Sequence, residues 1–442
     1  MANSIDAMKP ELWNKYGLAL FWEKMVMLHR VSRQFKNELA SEGDTVNYHK
    51  SAKRTVKRKG TSDIQRGDID IENIPIVLNQ HLYDSFELSD RDMSISFDNL
   101  VTETLEPSIN AIAYGFEKIL AYTAISGFLA NSIGRLGGLT NANCKGYGLQ
   151  LNQFHNDNYA PHPRTTGLSS DAETIFLDAD IFISAERVGD GGLALREALL
   201  GRKLGQDFMR GAAFPSVPAS SITLAESGTV DLTAGYAVGS TVIACDAIND
   251  PADGSYITFA ESPWPYRIAS ATTTAITLAT GLKEAITDGS AFSIVESGAI
   301  DLTAGYAAGW EESMVIKGVT TAPVVGQLCA IGVSVYMVME ATTTSILLDR
   351  PLDLILADDA VMNFGPAGSY NPSFIADAMA VVSRPLAKPL AKNIDSVVGV
   401  HDGVSMRTTI GYDMDAQKNV VTIDLLMGTK VTDSDLGTVL LG

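Results

Sequence analysis

The chain has 442 residues, 46% of them hydrophobic and 19% charged, and a formal net charge of −19. This apolar content is enough for several packed cores and excludes a globally disordered chain, while the length predicts two to four domains. No window of 18 uncharged apolar residues occurs, so we expect no membrane-spanning helix.

The cysteine pattern and the first residues bear on the compartment. Cys144, Cys245 and Cys329 are odd in number and far apart in sequence, which argues against a disulfide scaffold or a zinc ribbon and favours a reducing environment. Residues 1–10 contain no basic region followed by an apolar core, so no secretion signal is visible.

Residues 11–39 are predicted to form an amphipathic helix. Leu12, Tyr16 and Trp22 belong to a series of apolar residues near helical spacing, with basic residues between them. Two interpretations fit this pattern. The helix either packs on its own domain or forms an N-terminal arm that grips a neighbouring subunit.

A tight turn over Glu42–Val46 leads into a basic segment, residues 49–60. The rest of the chain retains 27 basic and 52 acidic residues, a balance of −25, so its surface repels nucleic acid at long range and a general DNA-coating role is excluded. The segment contains no acidic residue and six basic ones, Lys50, Lys53, Arg54, Lys57, Arg58 and Lys59.

An acidic limb follows, because Asp68, Asp70 and Glu72 would share one face of a strand. Basic and acidic limbs therefore flank the loop over Thr61–Gly67. An isolated hairpin is marginally stable in water. Such charges are either an ordinary solvated surface or a contact laid across a neighbouring molecule.

An apolar strand is predicted over Ile74–Leu78 and one long helix over Leu100–Ile133. Pro107 is tolerated in a first helical turn, and the glycines between Gly134 and Gly138 end the helix. Towards the other end of the chain, Met406–Tyr412 and Val420–Leu426 alternate like the two strands of a hairpin.

An internal repeat is the second strong signal. Residues 226–239 recur as residues 296–309, and Ala271–Thr274 recurs as Ala341–Thr344, both with an offset of 70. Each unit alternates β-branched residues with glycine and aspartate turns, which predicts short strands. Either a pair of small β-barrels or one barrel of two halves fits.

The search for chemistry finds weak candidates. No phosphate-binding loop, nucleophile elbow or His-Glu-x-x-His motif is present. His155, Asp157 and His162 offer a metal site or a polar turn, and Asp246, Asp250 and Asp253 faintly resemble a calcium loop without its spacing. Asp178 and Asp180, and the tripeptide Arg66-Gly67-Asp68, are more simply interpreted as turns.

The order of these pieces resembles the major capsid proteins of tailed phages, which have the Hong Kong 97-type fold, and most of all podovirus coat proteins with an inserted β-domain. The passages that carry the resemblance cover most of the chain outside roughly residues 216–365. They are Glu42–Val46, Ile74–Leu78, Phe86–Asp90, Asp171–Leu177, Leu195–Gly205, Asp377–Leu386 and Ile423–Gly428.

The resemblance implies an α+β Hong Kong 97-like fold with an N-terminal arm, extended loop, spine helix and axial domain, and an inserted all-β domain made of two repeats. The family's insertion is often single, so the duplication departs from its pattern. The implied parts are 1–45 arm, 46–75 extended loop, 76–135 peripheral domain with the spine helix, 136–215 axial domain, 216–365 inserted β-domain, and 366–442 return to the axial and peripheral domains.

The implied function is that of a major capsid protein, assembled in the bacterial host cytoplasm into an icosahedral virion shell around double-stranded DNA. Its implied partners are copies of itself in hexamers and pentamers, a separate scaffolding protein, a portal and weakly contacted DNA, with no cofactor, membrane or enzymatic activity. Alternatives are a β-rich adhesin or receptor-binding module, and an enzyme. The predicted inter-subunit contacts are Leu12, Tyr16, Trp22, Lys50, Lys53, Arg54, Lys57, Arg58, Lys59, Asp68, Asp70 and Glu72.

Overall fold

A computed structural model describes residues 10–33, 45–50, 56, 58–59, 71–89, 104–183, 200–249, 251–389, 394–414 and 417–442. The chain is of the α+β class and divides into two compact units. Unit 1 takes its described residues from Met1–Lys24, Val31–Ala113 and Asp377–Asp433, and unit 2 from Met25–Arg30, Tyr114–Ala376 and Ser434–Gly442.

Helices are few and strands are many. The α-helices are α1 (Pro10–Lys24), α2 (Glu106–Phe128), α3 (Cys144–Asp157), α4 (Ser170–Asp178) and α5 (Asp180–Ile183). The strands are β1 (Thr45–Lys50), β2 (Glu72–Val77), β3 (Gln80–Ser89), β4 (Ile133–Gly134), β5 (Arg164–Leu168), β6 (Arg202–Lys203), β7 (Gln206–Arg210), β8 (Ser216–Val217), β9 (Leu224–Thr229), β10 (Val242–Ala244), β11 (Tyr256–Phe259), β12 (Tyr266–Thr272), β13 (Ala275–Leu278), β14 (Ala291–Val295), β15 (Ser297–Ile300), β16 (Met314–Lys317), β17 (Leu328–Ile331), β18 (Ser334–Ala341), β19 (Ser345–Leu348), β20 (Val361–Phe364), β21 (Gly368–Ile375), β22 (Met379–Arg384), β23 (Ile394–His401), β24 (Val404–Asp413), β25 (Lys418–Val431) and β26 (Gly437–Leu441).

Unit 1 is built around β25, the longest strand described. One edge of β25 pairs with β3, and the other pairs first with β24 and then with β22. The predicted hairpin is therefore confirmed as β24 and β25. Asp424, buried at the centre of the sheet, accepts a hydrogen bond from Arg407 Nε at 2.9 Å and lies 3.3 Å from His81 Nε2.

Helix α1 packs on β23 and β24 of the same unit. Trp13, Leu18 and Phe21 bury its apolar face. Asn14 is buried with them, and its amide donates to the carbonyl oxygen of Met406 at 3.0 Å and to Thr408 Oγ1 at 3.2 Å. A buried amide needs such partners, so Asn14 fixes where the helix sits on the sheet.

The predicted helix over residues 11–39 is too long. Helix α1 ends at Lys24, and a short 3₁₀ turn follows at Leu28–Arg30. The backbone N–H groups of Val26, Met27 and Leu28 donate to the carboxylate of Glu117 instead of continuing the helical ladder. Helical spacing in the sequence cannot reveal a competing acceptor so distant along the chain. Residues 34–39 lie outside the described residues.

The predicted long helix is also shorter than expected. Helix α2 spans 23 residues, with Pro107 in its first turn, and a 3₁₀ turn over Leu129–Asn131 follows it. At about 1.5 Å per residue, the helix is about 35 Å long. It ends because Ile133 and Gly134 pair in parallel with β26 as strand β4. Residues 100–103 lie outside the described residues.

A second sheet belongs to unit 2, with the strand order β4-β26-β21-β5-β7-β6 and with β8 added to β21. The core beside it joins α3 and α4 to this sheet through Leu151, Phe176, Leu168 and Leu440, all buried. Buried polar side chains link the sheet to α3: Ser373 Oγ on β21 lies 2.9 Å from Thr166 Oγ1 on β5 and 3.0 Å from His155 Nε2 on α3.

The two sequence repeats form two β-modules with the same strand order. In the second module, β15–β20 close into a barrel with the order β15-β16-β19-β18-β17-β20. In the first, the sheet order β10-β13-β12-β11-β14-β9 is the same sequence of equivalent strands, and a bridge between Val230 and Cys245 joins its two ends. Of the two arrangements left open by the sequence, a pair of small barrels fits.

Equivalent tyrosines tie each module together. Tyr266 OH accepts from the backbone N–H of Lys283 at 2.8 Å, and Tyr336 OH accepts from that of Asp353 at 2.9 Å. Both residue pairs are related by the offset of 70. A second pair, Tyr236 and Tyr306, forms matching bridges to Ile286 and Leu356. The repeat therefore preserves the interior contacts of the module.

The seat of α1 on its sheet is testable through one glycine. A Cβ at Gly399, on β23, would lie 1.9 Å from Asn14 Oδ1, so Gly399→Ala must displace the buried Asn14 side chain or α1 itself. We expect a loss of about 1–3 kcal/mol in the free energy of unfolding, measured by urea denaturation. Gly411→Ala is the matched control, since its Cβ would meet only Ile394 Cγ1 at 3.8 Å. Equal stability of the two variants would contradict this account of the packing.

Candidate inter-subunit contact surfaces

Strands β1 and β2 form an antiparallel ribbon, and the two predicted limbs begin at its far end, at Lys50 and Glu72. The predicted turn over Glu42–Val46 is wrong at its last two residues, because Thr45 and Val46 belong to β1. The register places Thr45 opposite Val77 at one end and Lys50 opposite Glu72 at the other. The predicted strand over Ile74–Leu78 is thus confirmed, beginning two residues earlier and ending one residue earlier. Pro75 is accommodated because a two-stranded ribbon leaves each strand an edge that needs no donor.

The root of the ribbon is anchored in unit 1. Val46, Ile76 and Leu78 form an apolar cluster with Ala380 and Val382 of β22. Burying this apolar surface stabilises the root of the ribbon, by about 25 cal/mol for each Å² removed from water. The anchoring lies at the end where residues 45 and 77 pair.

Close approach at the root requires a glycine. A Cβ at Gly428 of β25 would lie 2.2 Å from the carbonyl oxygen of Val77. Any larger residue there would force β2 away from the sheet.

Lys50 of the basic segment lies close to two acidic side chains. Its Nζ lies 3.1 Å from Asp433 Oδ1 and 3.9 Å from Glu72 Oε2. The Asp433 side chain is only 10% exposed, so this pair is screened less than a surface pair, whereas Glu72 is mostly exposed and adds about 0–1 kcal/mol at most. Asp433 was missed by sequence reasoning, because no local pattern points to it.

Two basic residues beyond the end of β1 are open to solvent. Arg58 and Lys59 are exposed, and Val56 beside them is 97% exposed. Five of the predicted contact residues lie outside the described residues: Lys53, Arg54, Lys57, Asp68 and Asp70. Of the two limbs, the structure therefore brings together Lys50 and Glu72.

Of the predicted contact residues on α1, Tyr16 is exposed and Trp22 is buried. Tyr16 is exposed, and its hydroxyl donates to Glu106 Oε1 at 2.5 Å. This hydrogen bond to an acceptor carboxylate is the main reason that the pKa of Tyr16 is raised. Trp22 is buried within unit 1, where it packs edge-on against His401 and under the guanidinium of Arg33. The side chain of Leu12 lies outside the described part of the chain.

A buried carboxylate holds the segment that follows α1. Glu117 of α2 accepts backbone hydrogen bonds from Val26 and Met27 at 2.9 and 3.0 Å, and from Leu28 at 3.4 Å. Burial raises the pKa of Glu117, and these three donors oppose that shift. Removing the side chain would leave buried donors without an acceptor, which typically costs about 1–3 kcal/mol.

The metal candidates do not assemble. His155 is fully buried against Ser373, and among the described residues no group of three or more His, Cys, Asp or Glu side chains could hold a metal ion. In the faint calcium pattern, Asp246 accepts a hydrogen bond from Thr229 Oγ1, and Asp250 lies outside the described residues.

The paired carboxylates, Asp178 and Asp180, lie where one helix ends and the next begins. Asp178 Oδ2 accepts a hydrogen bond from Asn141 Nδ2 at 2.9 Å, and Asp180 begins α5. This arrangement fits the turn interpretation. The Arg66–Asp68 tripeptide lies outside the described residues.

The cysteines and helices bear on the remaining predictions. Cys144, Cys245 and Cys329 are buried free thiols whose pKa values are raised by burial. Of the helices in the described part of the chain, none has both the length and the apolar character needed to cross a membrane.

Comparisons with known proteins give structural likenesses alone. No protein-family model and no curated protein sequence matches the chain. Among solved structures, it is similar to a chain of Mycobacterium phage Che8, with 11% identity, a TM-score of 0.46, and 94% of this chain and 90% of that chain covered.

Two capsid chains show comparable values. For the capsid of cyanophage P-SCSP1u, identity is 11%, the TM-score is 0.43, and coverage is 91% of this chain and 84% of that one. For the mature capsid of bacteriophage PhiM1 the values are 12%, 0.42, 90% and 82%. The chain is similar to structures from phage capsids. At TM-scores below 0.5, these likenesses assign no function.

His155 makes the stability of unit 2 depend on pH. Burial, with help from Arg164 and His162, lowers the pKa of His155 to about 4, below the free value of about 6.5. The folded state therefore binds the proton more weakly than the unfolded chain. The free energy of unfolding is therefore highest above pH about 6.5. It falls by up to about 3 kcal/mol as the pH drops to about 4.

A non-titrating variant isolates this effect. We expect His155→Gln to flatten the fall in urea midpoint over that pH range relative to the unsubstituted chain. Other groups titrate in both proteins and cancel in the comparison. Parallel pH profiles would contradict the role assigned to His155.

Proposed function

We propose that this chain is a major capsid protein that assembles with itself into an icosahedral shell around phage double-stranded DNA. The observation that carries the proposal is the ribbon of β1 and β2. It is anchored at its root by an apolar cluster, while Arg58 and Lys59 are exposed. Such a ribbon is suited to lying across a neighbouring subunit.

In the finer proposal, the chain has a Hong Kong 97-like architecture. Residues 1–45 would be the arm, the ribbon would be the base of the extended loop, and α2 would be the spine helix. The two β-modules would form a duplicated insertion between the axial parts of the fold. The order of these elements along the chain supports this reading.

Assembly would rest on many modest contacts. Exposed ion pairs contribute about 0–1 kcal/mol each, so a single ribbon contact is weak. In a closed symmetric shell the same contact recurs in every subunit, and the shell becomes cooperative. The net charge of −19 would keep packaged DNA from adhering to the wall.

The proposed partners are further copies of the chain, a separate scaffolding protein, a portal and loosely contacted DNA. We propose no enzymatic role. The buried polar groups His155 and Asp349 have structural contacts: His155 bonds to Ser373, and Asp349 accepts from the backbone N–H of Met337 at 2.8 Å and pairs with Arg350.

One observation favours a second candidate, a β-rich adhesin or receptor-binding module. The two β-modules carry exposed apolar side chains, among them Val238, Val333 and Ile355. Such positions suit ligand contact as well as assembly. Sedimentation of the purified chain separates the candidates, since shells sediment as megadalton particles and a binding module as small oligomers.

Electron microscopy of the expressed chain tests the capsid proposal directly. We expect closed particles of uniform size, formed alone or with a scaffolding partner. A chain that stays monomeric at high concentration with and without phage partners would refute the proposal.

Reversing the ribbon charge tests the role of the extended loop. We expect the combined variant Lys53→Glu, Arg54→Glu, Lys57→Glu and Arg58→Glu to block shell formation while leaving the subunit folded, as measured by electron microscopy and circular dichroism. The matched control reverses four exposed basic residues elsewhere: Lys145, Arg202, Lys388 and Lys430. Normal shells from the ribbon variant, or equal failure of both variants, would contradict the assigned role.

A further inference from the structure

The second β-module lies against the last turns of helix α2. Arg350, which follows β19, donates from Nη1 to Ser126 Oγ at 3.4 Å, and Ser126 in turn donates to the carbonyl oxygen of Thr123 at 3.2 Å. Gly326 makes a second close approach, because a Cβ there would lie 3.3 Å from the hydroxyl oxygen of Tyr122. The C-terminal end of α2 is therefore in contact with this module.

Arg350 is held in one orientation by its own module. Its Nη2 donates to the carbonyl oxygen of Val335 at 2.8 Å, and its guanidinium lies 4.5 Å from the centre of the Tyr336 ring. Its Nη1 lies 3.3 Å from Oδ2 of Asp349, whose side chain is fully buried. A guanidinium that is fixed in this way loses little further freedom when it binds a partner, so it makes a rigid link to α2.

The first module docks on the second through the corresponding turn. Gly254 and Gly326 are equivalent, since their backbone N–H groups donate at 2.8 Å to Ile268 on β12 and to Val338 on β18. A Cβ at Gly254 would lie 2.7 Å from Asn363 Nδ2 on β20. The same turn therefore faces α2 in the second module and faces the second module in the first.

Arg267 joins the two modules at this turn. Its Nη2 donates to the carbonyl oxygen of Gly332 in the second module at 2.8 Å, and its Nε donates to that of Gly254 in its own module at 3.3 Å. Ser255 Oγ also lies 3.1 Å from Ser297 Oγ of the second module. The two modules and α2 are thus linked in series.

A different part of the first module returns to the chain just after α2. The backbone N–H of Leu136 donates to the carbonyl oxygen of Pro263 at 2.9 Å, and Arg135 Nε donates to Glu284 Oε1 at 2.8 Å. Arg135 and Leu136 follow β4 and are close to Ser126 along the chain. The contacts therefore close a ring that runs from α2 through both modules and back to the segment after α2.

Neither module has both attachments. Thr280 of the first module occupies the place of Arg350, and Leu354 of the second module occupies that of Glu284, both at the offset of 70. The turn between β11 and β12 is also longer than its counterpart between β17 and β18. Each module thus supplies one attachment, and the ring needs the pair.

We propose that the two β-modules act together as a brace that holds the C-terminal end of α2 in place. The last turn of a helix lacks part of its hydrogen-bond ladder and opens more easily than the middle. A ring attached on both sides of that end resists such opening, and the duplication supplies the second attachment. This role goes beyond the proposed function and applies to the single subunit.

Hydrogen exchange of the full chain tests the brace. We expect backbone amides of residues 119–128 to exchange at least about threefold faster in Arg267→Met than in the unsubstituted chain, although Arg267 lies at the junction of the modules and not on α2. Lys317→Met is the matched control, since Lys317 is a cation on the surface of the second module that pairs with Asp301 outside the ring. Unchanged exchange at residues 119–128 in Arg267→Met, or equal acceleration in the control, would overturn the proposal.

A second variant opens the ring at its other link. Ser126→Ala removes one hydroxyl and leaves both modules intact, so it decides the matter if Arg267→Met fails to fold. We expect the amide of Leu136, which bonds to Pro263, to exchange at least about twofold faster in this variant. An unchanged rate at Leu136 would contradict a closed ring.

The ring also predicts how the two substitutions combine. Because one break already opens a ring, the double variant should accelerate exchange at residues 119–128 no more than the stronger single variant does. Effects that multiply would show two independent contacts and overturn the brace. Exchange in β25, which belongs to unit 1, reports whether each variant remains folded.

Discussion

The pairing of β25 on both of its edges is the constraint on which unit 1 depends. This strand joins β3, β22 and β24, which come from distant parts of the sequence, into one sheet. Buried backbone donors and acceptors must be paired, so the register of β25 fixes the other three strands. Asp424 reinforces that register, because a buried carboxylate between Arg407 and His81 tolerates no slip of the strands.

The position of the ribbon is set by its packing on that sheet. Its apolar cluster includes Ala380 and Val382 of β22, and Val77 passes directly over Gly428 of β25. A ribbon anchored in this way can present charges at a fixed place without a core of its own. Helix α1 is positioned in a similar way. The Asn14 side chain bonds to the sheet, and Gly399 leaves the space that Asn14 needs. Small polar and glycine positions thus decide where the larger apolar surfaces meet.

Sequence reasoning predicted local patterns better than limits set by distant residues. Strand β2, the closing hairpin and the short strands of the two β-modules follow from apolar runs, alternation, turn residues and an offset of 70. Strand β1 was not predicted, because its residues were interpreted as a turn and a basic segment. The ends of α1 and α2 do not, because Glu117 captures the N–H groups beyond Lys24 and β26 captures Ile133. Lys50 was expected to face acidic residues, yet its nearer partner, Asp433, could not be found from sequence spacing.

Comparing the two β-modules distinguishes interior residues that folding keeps the same from surface residues that can differ. Tyr266 and Tyr336 are both buried and keep the same hydrogen bond, because losing it would deprive a buried hydroxyl of a partner in either module. Surface positions carry no such requirement. Lys317 lies among Asp301, Asp358 and Asp359. Asp246 takes its place in the first module, because Cys245 bridges to Val230 as Ile316 pairs with Ile300. A chain with two copies of one module can therefore keep the interior contacts in both while the charges on their surfaces differ.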